Sequence, residues 1–128
     1  MYVEEIEFKN DSPVAWSAYH VGDYYAVHCH LDIIEVLLVL RGSVGVKVSF
    51  EYFQLEEGDY LVVNRADSHE ISSFSPDTQI ISLYIRLDAF QKEIPYIRYL
   101  LLSCESFDLV AYRNQTTFLR TILCDILI

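Results

Sequence analysis

The stretch Gly22-x5-His28-x-His30-x4-Glu35-x6-Gly42, followed by Gly58-x10-His69, constrains this chain more than any other feature. His28 and His30 lie two residues apart, so on a strand both rings point to one face. The glycines mark turns that keep the intervening strands short. Three imidazoles and one carboxylate placed in this way form a ligand set suited to Zn, Fe, Ni or Mn. The same residue types also serve to line a polar pocket through hydrogen bonds alone, and the spacing leaves both uses open.

Along the rest of the chain, residues 3–8 and 15–19 alternate in polarity on either side of the turn Asn10-Asp11-Ser12-Pro13. Strands are expected next at 24–30 and at 34–41, the second apolar on both faces and therefore central in its sheet. After Gly42-Ser43 comes a strand over 44–50, then a tight turn at Glu51-Tyr52 and a short return strand over 53–55. Strands over 60–63, 70–74 and 79–87 complete the set. Runs this short and this regularly punctuated predict a mainly β sandwich or barrel, and a jelly roll satisfies both. By strand parity Tyr24 shares the face of His28 and His30, while Leu37 and Val39 share that of Glu35. Tyr24 and Leu37 thus join His28, His30, Glu35 and His69 as candidate ligand-binding residues, and Tyr84, from a strand apolar on both faces, is added to them. Trp16, Tyr19, Tyr24, Tyr25 and Tyr84 suit either stacking on a sugar or flat metabolite, or core and rim packing.

Residues 22–42 match every fixed position of the first cupin motif, G-x5-H-x-H-x3,4-E-x6-G, and the chain resembles that family. The second motif, G-x5-P-x-G-x2-H-x3-N, is met at Gly58 and His69, with Asn64, Ala66 and Ser73 at its other positions. The sequence His28-x-His30-x4-Glu35-x3-Val39-Leu40-Arg41-Gly42, then Tyr52-x2-Leu55-x2-Gly58-Asp59-Tyr60-x3-Asn64 and His69, is similar to the amino-terminal sensor domain of AraC-type bacterial transcription regulators. That resemblance implies a cupin-type double-stranded β-helix over residues 1–87. A helical segment of two or so helices, over 88–128, would follow it. It also implies a small-molecule effector in the barrel, a cytoplasmic homodimer, and no enzymatic activity. DNA would be reached only through helix-turn-helix motifs beyond the residues given. A different class remains beside it, a metal-dependent cupin enzyme of dioxygenase or isomerase type. There the four ligands of an octahedral ion leave two positions open.

Past residue 87 the strand pattern ends. Residues 88–94 open on Asp88 and stop before Pro95, which suits a short helix; 98–104 fit strand or helix equally. From Asn114, the residues Phe118, Leu119, Ile122, Leu123, Ile126 and Leu127 give a wide apolar helical face. The set Leu119, Ile122, Leu123, Ile126 and Leu127 is the expected dimer contact, and the lack of a stop signal at Ile128 suggests a longer polypeptide.

At 128 residues, 52% of them hydrophobic and with ten Tyr and seven Phe, the chain has the stock for one packed domain and is not disordered. Its longest near-apolar run, 33–40, is broken by Glu35 and too short to cross a bilayer. Glu4 and Glu5 stand where a signal peptide would be positive. Cys29, Cys104 and Cys124 form no close pair, as expected of reduced thiols in the cytoplasm. Nine Lys and Arg, scattered against nineteen Asp and Glu, leave a net charge of −10. Duplex DNA is held by clustered cations that displace counterions. This polypeptide should therefore leave random duplex unshifted in a gel at about 50 mM salt, where phosphate contacts are strong. Retention at micromolar protein would contradict the charge argument.

Overall fold

The computed structural model describes residues 2–20, 26–99 and 101. Its strands are β1 (Tyr2–Val3), β2 (Val14–His20), β3 (His28–Cys29), β4 (Ile33–Arg41) and β5 (Ser43–Val48). They continue with β6 (Glu51–Glu56), β7 (Tyr60–Val63), β8 (His69–Phe74) and β9 (Gln79–Arg86). They form a five-stranded sheet in the order β1-β3-β8-β5-β6 and a four-stranded sheet in the order β2-β9-β4-β7. Apart from the parallel β1–β3 contact, neighbours are antiparallel. The chain is mainly β, as its punctuation predicts. Among the described residues no helix is long and apolar enough to cross a membrane.

The core lies between the sheets. Leu37 and Val39 of β4, Leu61 of β7 and Ile80 of β9 meet Val44 and Val46 of β5 and Leu55 of β6. Strand parity sets this up, since Glu35, Leu37 and Val39 share the inward face of β4. The outward residues Val36 and Leu38 are buried as well, with Tyr60 and Leu83. On the same outer side Ile34 packs with Leu87 and Ile97. β4 is therefore the two-sided central strand that its apolar run predicts.

One end of the sandwich is closed by turns. Gly42 and Gly58 adopt positive φ, at 79° and 86°. A Cβ on Gly42 would stand 2.6 Å from Ser75 Oγ and 2.9 Å from Thr78 Cα. Thr78 Oγ1 donates to the Ser43 carbonyl at 2.8 Å, tying the β8–β9 turn to the start of β5. Only glycine meets both demands at position 42. At the opposite end, β4, β6 and β8 begin while β5, β7 and β9 finish.

Four local expectations are corrected. Residues 4–8 are not a strand, because β3 is two residues long and offers the arm nothing further to pair with. Of the strand expected over 24–30, residues 24 and 25 lie outside the described residues, and within 26–30 only His28–Cys29 is strand; the Ala26 carbonyl faces the His28 ring instead of a ladder. The β5–β6 turn is Ser49-Phe50, and Glu51 and Tyr52 pair with Val48 and Lys47. Ser49 takes φ 52° there without the Asn or Gly that normally signals such a turn. Finally, 88–94 forms no regular helix. Leu87–Phe90 is a single 3-10 turn with no side-chain cap, and Ile97–Tyr99 is another. Pro95 disfavours helical geometry in the residue before it. The remaining helical expectations, 102–128, lie outside the described residues.

Ala66 occupies the glycine position of the second motif with φ 63°, and its N–H donates to the His30 carbonyl at 2.7 Å. That left-handed conformation is unfavourable for an L-residue. Ala66→Gly is expected to gain about 0.5–1 kcal/mol after the entropy of glycine is counted, or about 2–5 °C in thermal midpoint. A lowered midpoint in calorimetry would show that the methyl group packs more than it strains.

Candidate functional site: a buried histidine–glutamate centre

The open end of the sandwich brings His28, His30, Glu35 and His69 together. His28 and His69 are directly paired across β3 and β8, and His69 is opposite Val48 on β5. Glu35 reaches in from the other sheet, between Val63 and Tyr84. All four are buried. One ligand-capable atom from each lies within 4.8 Å of the others. The His28 and His69 rings are 4.2 Å apart between centroids, and His30 is 4.9 Å from His28 and 5.2 Å from His69.

Backbone carbonyls orient the rings. Nδ1 of His28 meets the Ala26 oxygen at 2.7 Å, Nδ1 of His30 the Glu4 oxygen at 3.1 Å, and Nδ1 of His69 the Asp67 oxygen at 3.1 Å. A carbonyl only accepts, so each Nδ1 carries the proton and each neutral ring turns an Nε2 lone pair to the centre. Nε2 of His30 and of His69 both face Glu35 Oε2, at 3.1 and 2.8 Å. Lone pair against carboxylate is repulsive. The arrangement is attractive only when positive charge sits between them, as protons on Nε2 or as a shared cation.

The titration behaviour follows from this geometry. Burial favours a neutral Glu35, but hydrogen bonds with His30, His69 and Ser82 and the His69 charge outweigh it. The carboxyl is held well below the usual range. Ser82 Oγ donates to Oε1 at 2.6 Å. Burial lowers the His28 pKa. It would lower that of His30 too, yet the hydrogen bond and charge of Glu35 raise it.

One wall beside the centre is made of hydroxyls. Tyr84 Oη lies 2.9 Å from Ser17 Oγ and 2.7 Å from Tyr19 Oη, and the Tyr84 ring packs edge-on to His30 at 5.4 Å. Burial and the nearby Glu35 charge raise the Tyr84 pKa, and burial raises that of Tyr19. Both phenols stay protonated at neutral pH. The sequence pointed to Tyr84 and, as one of the aromatics suited to stacking or packing, to Tyr19, but not to Ser17 or Ser82. The usable signal was inward parity: 17 and 19 on β2, and Ser82 as the polar break in the run Ile80-Ile81-Ser82-Leu83. Leu37 lies one inward step beyond Glu35, inside the apolar core. Trp16 is exposed on the outer face of β2, away from the centre. Tyr24, Tyr25 and the set Leu119, Ile122, Leu123, Ile126 and Leu127 lie outside the described residues.

The family model described as the AraC-like ligand binding domain matches residues 13–120. The chain belongs to that family. No curated protein matches it. Among solved structures, this AraC-like domain is similar to the cupin domain of Cnp3 from Schizosaccharomyces pombe, with TM-score 0.57 and 16% identity. The match covers 68% of this chain and 66% of that one, just under two thirds. KdgF from Halomonas sp. matches with TM-score 0.51 and 24% identity, over 59% of this chain and 71% of that one. The oxalate decarboxylase of Bacillus subtilis, which has Mn(II) centres, matches with TM-score 0.52 and 14% identity, over 59% and 22%. Identities this low establish the cupin fold and nothing further.

The centre predicts a characteristic pH response in chelator-treated protein. Glu35, with a depressed pKa, stabilises the fold above the ordinary carboxylate range and loses that contribution as pH falls through its folded value. His30, with a raised pKa, stabilises below the ordinary imidazole value near 6.5 and loses that as pH rises through its folded value. The thermal midpoint should therefore peak at mildly acidic pH, between the two ranges. Glu35→Gln should lower and flatten that peak in a scan across both ranges. An unchanged profile would mean that the His30–Glu35 contact carries no charge.

Proposed function

We infer that this domain binds a small-molecule effector inside the barrel and is the sensor half of an AraC-type transcription regulator. The reading rests on one observation: a polar centre buried inside a domain of the AraC-like ligand binding family. The effector enters where the histidines, Glu35 and the hydroxyls of Ser17, Tyr19 and Tyr84 meet. Such a wall of donors and acceptors around apolar side chains suits a hydroxyl-bearing metabolite, sugars included. Bound effector shifts the domain between two arrangements by its differential affinity for them. A cytoplasmic homodimer, assembled through the helix bearing Leu119, Ile122, Leu123, Ile126 and Leu127, passes the shift to helix-turn-helix motifs beyond Ile128.

The donor set of the centre also fits a divalent metal. Three Nε2 lone pairs and a carboxylate are what Zn, Fe, Ni or Mn take. Backbone acceptors on every Nδ1 and a serine on the carboxylate are the usual outer support of such ligands. The four ligand-capable atoms lie within 4.8 Å of one another, close enough for all to reach one ion. His28, His30, Glu35 and His69 would hold the ion, which would act as a Lewis acid toward an oxygen of the bound molecule. The completeness of this quartet also favours a second reading, a metal-dependent cupin enzyme.

Elemental analysis of purified protein tests the metal. Near-stoichiometric Zn, Ni, Fe or Mn is expected, with most of it lost in His30→Ala. Affinity should fall as pH drops through the imidazole range, because a protonated ring cannot ligate. Protein free of metal and indifferent to chelator in thermal stability would leave the hydrogen-bonded pocket. The reading frame past Ile128 tests the regulator: two helix-turn-helix patterns support it, and an immediate stop overturns it in favour of a stand-alone cupin.

A further inference from the structure

Among the described residues the two sheets have four edge strands, and three of them are guarded. β1 is two residues long, β7 is four, and β6 begins and ends on a glutamate, Glu51 and Glu56. Short or charged edges are how β proteins stop one sheet from adding to another. Among the described residues, β2 has no such device. Val14–His20 runs seven residues with no Lys, Arg, Asp, Glu or Pro, in unbroken register along β9. Among the described residues, β9 is its only ladder partner. On its outward face Val14 is 40% and Trp16 63% exposed.

We propose that the outer edge of β2 pairs with β2 of a second copy of this chain, antiparallel about a two-fold axis at Ser17. Two four-stranded sheets then become one continuous sheet. The order of side chains in the strand specifies this partner. With Ser17 across from itself, Trp16 stands opposite Ala18 of the second copy on the outer face, and Ala15 opposite Tyr19 on the inner face. A large side chain meets a small one on both faces, so each fills the space the other leaves. Moving the axis to Trp16 would set indole against indole, and moving it to Ala18 would leave methyl against methyl. Placing it between residues would turn one inner face outward. Charge agrees with the choice. Each copy carries −10 and repels the other broadly, whereas residues 14–19 of this strip carry no charged side chain. The contact is isologous, with the same strip buried on both copies, and it is distinct from the contact proposed at Leu123 and Leu127.

Trp16 is the chain's single tryptophan, so intrinsic emission reports this surface alone. Between about 1 and 500 μM, a range that spans weak homotypic contacts, emission should move to shorter wavelength as indole is covered. Sedimentation should show association over the same range. Ala18→Lys puts a cation at the contact and should weaken association about tenfold, because the two-fold axis repeats the loss. Trp16→Glu should do the same. An equimolar mixture of the two variants should regain affinity, since the carboxylate introduced at position 16 of one chain then faces the ammonium introduced at position 18 of the other. Trp16 and Ala18 are on the outer face, so both variants should keep the wild-type circular dichroism spectrum. Emission that stays constant with concentration overturns the proposal, including the case where the chain sediments as a dimer through Leu123 and Leu127. Variants that associate like wild type, or a mixture that gains nothing, overturn it as well.

Discussion

Glu35 is a fully buried carboxylate, and the open end of this fold is organised around keeping it charged. A lone ion moved from water into a protein interior costs several kcal/mol, and a broken buried pair costs about 3–5 kcal/mol. The molecule answers with His30 and His69 on one oxygen and Ser82 on the other. These partners come from both sheets. The centre therefore cannot be half-made, because a sheet that docked without the other would leave the carboxylate buried and unneutralised. What holds the functional residues in place also specifies how the sheets face one another.

The two ends of the sandwich divide the labour that follows. At the far end Gly42, Ser75 and Thr78 are in such close contact that no extra methyl group fits. Below it the interior is filled by Leu37, Val39, Val44, Val46 and Leu55. Toward the other end, His28, His30, Glu35 and His69 enter the inner faces. A close-packed half supports a polar half, and the short loop carrying Ala66 and Asp67 joins the two histidine strands by touching both His30 and His69.

The four residues of the centre were legible in the sequence because two simple periods carry them. His28 and His30 share a face by strand parity, and glycines bound the strands. The inward placement of Leu37 and Val39 follows from the same alternation, whereas the strand of Tyr84 is apolar on both faces. Where a neighbouring strand decides the outcome, the sequence was silent. Residues 4–8 alternate like a strand, yet β3 ends before they can pair. Ser49-Phe50 makes a hairpin turn without turn residues, because the register between β5 and β6 is fixed by Val44, Val46, Phe53 and Leu55 packing inward. Ser17 and Ser82 were missed, and the role of Tyr19 was left open, because a hydroxyl is commonplace in a strand. Its meaning here comes from partners 47 to 67 residues away in the chain.

The carbonyls that steer the three imidazoles belong to Glu4, Ala26 and Asp67, and every amino acid carries that same group. Mutation at these positions exchanges the side chain and leaves the acceptor where it was. The tautomer of each ring is thus insulated from sequence drift at the residue that enforces it. Relatives of this domain are free to vary at 4, 26 and 67 while the rings keep their orientation, provided the backbone path is kept. The histidines themselves have no such latitude, since no other side chain donates from one ring nitrogen to a carbonyl while turning a second nitrogen lone pair to the centre. Selection at this end of the barrel acts on what points inward, and on the course of the chain behind it.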